Sequence, residues 1–69
     1  MQQILNGILE AIEDEIKAQK HYQALSERVE DPKLKKFFEQ LKMDEVNHEH
    51  ILRSRYEAFS KVLETNKDR

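Results

Sequence analysis

The sequence has only one place to turn. Glycine occurs once, at Gly7, and proline once, at Pro32. Pro32 follows Asp31, which reads as a helix N-cap with proline at the first helical position, where its missing N–H is not needed. Glu30-Asp31-Pro32 therefore divides the chain into a helix of about residues 3–29, a turn at 30–32 and a second helix of about 33–65. Gly7 falls inside the first helix and costs it about 1 kcal/mol relative to alanine. The terminal TNKDR is expected to fray. Two long helices joined by so tight a turn must lie antiparallel. The predicted fold is all-α, a single helical-hairpin domain over residues 1–69.

Each helix carries an apolar seam with alternating steps of three and four. The first runs Leu5, Ile8, Ile12, Glu15, Gln19, Tyr22, Ser26 and Val29. The second runs Leu34, Phe38, Leu41, Glu45, His48, Leu52, Arg55, Phe59 and Val62. Ile4, Leu9, Ile16 and Leu25, with Phe37, Ile51, Tyr56 and Leu63, widen the two stripes. One hairpin leaves much of this surface wet. A second copy is the natural cover, giving a four-helix bundle from two hairpins as a homodimer or a higher even-numbered homo-oligomer. The chain's 69 residues point the same way, because so short a chain usually needs a staple. It has no cysteine, which excludes disulfides and iron–sulfur clusters and leaves a metal held by oxygen and nitrogen, self-association, or both. Twelve Lys and Arg against 14 Asp and Glu give a formal charge of −2, which argues against a nucleic-acid partner. MQQILNGILEAIEDE carries acids where a signal peptide carries a positive cluster, and no apolar run reaches membrane length. A cytoplasmic location away from membranes is expected.

The informative residues are the polar ones that interrupt the seams: Glu15, Glu45 and His48, and more weakly Gln19 and Arg55. Glu15 and Glu45 stand equally far from Glu30 along the chain. A hairpin folded there brings them to one height, about 22 Å from the turn at 1.5 Å per residue. His48 follows Glu45 by three residues and shares its face. Glu-x-x-His alone is common by chance, and a lone seam glutamate is more often paired with Lys or Arg. The shared height on two seams is what singles these three out. In a two-fold dimer that level holds four carboxylates and two imidazoles, the ligand set of a carboxylate-bridged di-iron bundle. Carboxylates bridge two cations and offset their charge, and neutral imidazole suits ferrous iron. His21 and His50 lie off the seams and are read as solvated. Glu49, one turn after Glu45, fits either the helix surface or a group supporting the ligands, and is read as surface. Glu10, Glu13 and Asp14 fit either cation gathering or helix surface, and are read as surface. Phe37, Phe38 and Phe59 are read as core. Tyr22 lies on the face of Glu15, about 10 Å along the axis, and fits either a core tyrosine or a group serving the site.

Glu15-x6-Tyr22 followed by Glu45-x-x-His48 resembles the half-bundle of the ferritin-like superfamily, in particular rubrerythrin-like chains and the encapsulated ferritins, over about residues 8–60. The resemblance implies a di-iron pair shared by two chains, with manganese as the other candidate metal, held by Glu15, Glu45 and His48. It also implies Tyr22 beside the site and oxidation of ferrous iron by dioxygen or peroxide. Two departures stand out. Where encapsulated ferritins carry further acids near the first-helix glutamate, Asp14 is acidic but Lys17 is basic. Their cargo tail for a shell protein has no counterpart in ETNKDR, so no shell partner is expected. Rubrerythrin peroxidase chemistry usually draws electrons from a cysteine-rich rubredoxin domain, which this chain does not supply. A ferroxidase-like role is therefore favoured. The alternatives are iron binding without turnover, and a metal-free hairpin dimer acting as an adaptor or small RNA-binding module, for which a basic exposed face would speak. Lys33, Lys35 and Lys36 cluster after the turn but lie among acids.

Overall fold

The computed structural model describes residues 2–67, with side chains described to Glu64. Two helices make up the chain, α1 (Gln2–Arg28) and α2 (Pro32–Lys67). Asp31 caps α2 as expected: its Oδ1 accepts the Lys33 N–H at 2.8 Å and its carbonyl accepts the Lys35 N–H at 3.0 Å. Pro32 is the first residue of α2 rather than the last of the turn, because its fixed φ already suits a helix. At the far end α2 continues to Lys67, two residues beyond the predicted end. The rest of the stretch expected to fray, residues 68–69, lies outside the described residues.

The helices run antiparallel, as the order of cross-helix contacts shows. Gln23 meets Lys42, Glu15 meets His48, and Ile4 and Leu5 line a cleft with Phe59 and Leu63. The particle is a rod of 59 × 15 × 10 Å. Its core is thin. Leu5 and Ile12 are the buried apolar residues, joined by Ser26, whose hydroxyl donates to the Gln23 carbonyl at 2.7 Å. The accessible surface is 5648 Å², against about 4,600 Å² expected for a compact monomer of this mass.

On α1 the predicted seam is the covered line, every member buried or half-buried. On α2 it is not. The covered line runs Phe38, Leu41, Glu45, Glu49, Leu52, Tyr56, Ser60 and Leu63, while Leu34, His48, Arg55, Phe59 and Val62 are exposed. The observed steps repeat every 11 residues, close to the 3.6 residues per turn of a straight helix. A strict seven-residue repeat drifts about 20° per heptad away from a straight partner. The heptad line in the sequence therefore marks the middle of a wide apolar stripe, and α1 covers only one side of it. The other side carries Leu34, Phe37, Ile51, Phe59 and Val62, each about half exposed. Phe37 and Phe59, expected in the core, belong to this open face.

Gly7 is exposed, and a methyl group there meets nothing within 4 Å. Gly7→Ala should therefore stabilise the protein by about 0.5–1 kcal/mol through helix propensity alone. Urea unfolding at matched protein concentration reads this directly. A lowered midpoint would reveal that position 7 is covered in the assembled protein.

Candidate metal centre

Glu15 sits at the middle of α1, at the seam position between buried Ile12 and half-buried Gln19. Glu45 and His48 stand on one face of α2, three residues apart, so a single turn presents both. The contact register of the hairpin brings His48 nearly opposite Glu15, with Glu45 reaching in from the side of the connection. His48 Nδ1 lies 3.6 Å from Glu15 Oε2 and 3.7 Å from Glu45 Oε2. One ligand atom from each of the three residues falls within 4.8 Å of the other two. Among the described residues this is the one group of three such side chains so placed. The separations are too long for hydrogen bonds. They leave a gap ringed by two carboxylates and an imidazole nitrogen.

Burial within the group is uneven. The carboxylate side chains are 22% exposed at Glu15 and 21% at Glu45, whereas the His48 ring is 55% exposed and stands on the open face. Glu15 Oε2 is withdrawn from water and has no hydrogen-bond partner. Its carboxyl pKa is raised, first because Glu45 stands beside it and a proton would turn two facing acceptors into a hydrogen-bonded pair. Loss of water and repulsion from the Glu45 charge raise it further, and His48 pulls in the opposite direction. An orphaned acceptor among anionic and neutral nitrogen and oxygen donors fits a divalent cation, which would supply the missing positive charge without a proton.

One turn along, the polar side chains are fully paired. Glu49 accepts from Gln19 Nε2 at 2.7 Å and from Arg53 Nε at 2.7 Å, and its pKa is lowered, first by Gln19 and then by Arg53. Lys42 Nζ donates to Gln23 Oε1 at 2.8 Å. Glu49, expected at the surface, is thus a half-buried cross-helix anchor. The polar seam position of Gln19 marked that residue, but nothing in the sequence pointed to Glu49 as its partner. Tyr22 is half-buried and packs its ring on His21, with centroids 5.8 Å apart. Among the described residues no hydrogen bond joins Tyr22 to Glu15, Glu45 or His48. His21 and His50 are exposed and stand outside the group, as do Glu10, Glu13 and Asp14.

The sequence matches the Rubrerythrin family over residues 6–69, nearly the whole chain. The protein belongs to the rubrerythrin family. It is accordingly a domain of the ferritin-like superfamily, and family membership together with the Glu15–Glu45–His48 group fits iron binding. No curated protein and no solved structure matches the chain. Among the described residues, no helix is long and apolar enough to cross a membrane.

The two shifted carboxylates give stability opposite dependences on pH. The raised Glu15 value means that the folded state holds more protons than the unfolded state just above the ordinary carboxylate range. Metal-free stability should therefore fall as pH rises through the Glu15 value. The lowered Glu49 value contributes stability at neutral pH that is lost as pH falls through its folded value. Denaturation of the metal-free protein across pH 3–8, roughly spanning both transitions, should show Glu15→Gln without the first loss and Glu49→Gln without the second. Parallel curves for all three proteins would contradict both assignments.

Proposed function

We propose that this rubrerythrin-family protein takes up ferrous iron at Glu15, Glu45 and His48 and oxidises it at a two-ion site that two copies complete between them. Glu15 Oε2 carries this reading: an acceptor removed from water, left without a donor, and set beside a second carboxylate and an imidazole. Such a group is unfavourable unless a cation or proton joins it. Manganese is the other divalent metal this donor set suits.

The stoichiometry motivates the second copy. One hairpin offers two carboxylates and one imidazole, and a two-fold pair offers four and two, enough to bridge two ions. His48 lies on the exposed side of α2, in line by helical spacing with Ile51, Phe59 and Val62. A partner laid on this stripe would cover the excess apolar surface and close the site with the same act.

Ferrous iron is the substrate in this scheme. Two ions give up one electron each, and dioxygen accepts both with two protons and leaves as hydrogen peroxide. The chain's contribution is positional and electrostatic. Glu15 and Glu45 offset the growing positive charge as iron becomes ferric, and His48 supplies an imidazole nitrogen donor. Tyr22, about two turns from Glu15, takes no step.

Sedimentation should give a dimer or higher even-numbered species with little folded monomer at micromolar concentration. A compact monomer both with and without ferrous iron would remove the shared site.

The site itself is tested by its cost to the empty protein. Glu45→Leu should make the metal-free protein more stable by about 1 kcal/mol, because an apolar group replaces a charge facing Glu15. The same variant should lose both the rise in Tm on adding ferrous iron anaerobically and the ferrous oxidation above buffer background. His48→Ala should lose iron binding and oxidation too, while His50→Ala should retain them. Equal losses at His48 and His50, or an undiminished iron response in Glu45→Leu, would overturn the assignment.

A further inference from the structure

The apolar seam does little to hold the two helices against sliding. Among the described residues its buried apolar members are Leu5 and Ile12, its other apolar members being half-buried, so polar contacts carry much of the directional fit between the helices. Among the described residues, the directional contacts seen between the helices include, besides the wide Glu15–His48 approach, Lys42 to Gln23 and the two made by Gln19. The Gln19 amide is placed where register matters most. Its Nε2 donates to Glu49 Oε1 at 2.7 Å and approaches the Glu45 carbonyl oxygen at 3.5 Å. In an α-helix that carbonyl receives the N–H of Glu49, so the amide rests on the single turn that bears Glu45 and His48. On its own helix Gln19 is one turn from Glu15. Arg53 Nε holds the second Glu49 oxygen at 2.7 Å, which fixes the carboxylate that Gln19 grips.

We propose that Gln19, acting through Glu49 and Arg53, is a positioning residue for the Glu15–Glu45–His48 centre, a polar clamp that sets the axial register of α1 on α2. A slip of one residue moves the donors by about 1.5 Å, several times the ~0.2 Å tolerance of metal–ligand distances. The clamp also decides which carboxylates are available. Glu49 is one turn from Glu45, yet both of its oxygens are engaged, so it is held out of the donor set. Outer partners that orient ligands in this way typically carry a 10- to 100-fold share of metal affinity, at order of magnitude.

This inference rests on the proposed metal site, and the test keeps the two apart by using cobalt(II) as a spectroscopic probe alongside a metal-free measurement. Gln19→Leu keeps an apolar side chain in the seam and removes the amide. It should bind cobalt(II) about 10- to 100-fold more weakly, with altered ligand-field bands, while helix content and sedimentation stay as in the wild type. Gln19→Glu, which sets carboxylate against carboxylate, should weaken binding as well. The double variant Gln19→Glu/Glu49→Gln restores a donor–acceptor pair with the roles exchanged and should recover most of the affinity. Unfolding of the metal-free single and double variants should show favourable coupling between positions 19 and 49. Wild-type cobalt affinity and spectrum in Gln19→Leu, or no recovery in the double variant, would overturn the positioning role while leaving the metal site standing. Absence of coupling would overturn the clamp itself. A wild-type protein that binds neither cobalt(II) nor ferrous iron would overturn the metal site, and the positioning role with it.

Discussion

The three-residue connection between Arg28 and Pro32 leaves α2 no course but back along α1, and the candidate centre inherits that constraint. Asp31 closes the first turn of α2 through its side chain and its carbonyl, which sets where the second helix begins. From that origin the antiparallel course follows, bringing the middle of one helix near the middle of the other and leaving the fine axial register to side-chain contacts between them. Glu15 and the Glu45–His48 pair are distant in sequence and meet because both lie about four turns from the connection. An inserted or deleted residue at the turn would rotate and shift α2 by one helical step. The donors would then separate even though every one of them remained.

Along this register the hairpin divides its polar side chains between two tasks. Gln19, Glu49 and Arg53 satisfy one another and tie the helices together, as do Gln23 and Lys42. Glu15, Glu45 and His48 approach without satisfying one another, and one oxygen of Glu15 is left with no partner. Polar groups in a seam are costly in either case, because apolar side chains of similar size would pack there at less expense. The first set recovers the cost within the chain. The second set does not recover it within the hairpin, and that difference is what makes it a candidate metal centre.

The same division explains the protein's shape. A rod 59 Å long with so thin a core cannot bury two broad apolar stripes by itself. Membership in the rubrerythrin family places the chain among ferritin-like domains, whose di-metal centres lie inside four-helix bundles. This chain is a two-helix hairpin, and its open side bears both the exposed apolar residues and the half-exposed His48 ring.

Much of this could be read from residue order. The scarcity of breakers, the Asp31-Pro32 cap and the three-four spacing determine two antiparallel helices. Glu15, Glu45 and His48 stand out because a charged residue inside an apolar repeat has no propensity reason to be there. The covered line on α2 was not legible. Sequence periodicity records which residues are apolar, whereas burial depends on which side of a wide stripe faces a neighbour, and over nine turns a straight helix departs from a seven-residue repeat. For that reason Glu49, Tyr56 and Leu63 are covered while His48, Phe59 and Val62 are open. The roles of Gln19 and Glu49 were hidden for a related reason. A glutamine and a glutamate 30 residues apart carry no mutual signal until the register puts 2.7 Å between them. Composition and spacing determined the helices and the chemistry of the donors. Only the tertiary structure, by setting axial register and rotation, decided which polar groups pair with each other and which are left unpaired in a group that could hold a cation.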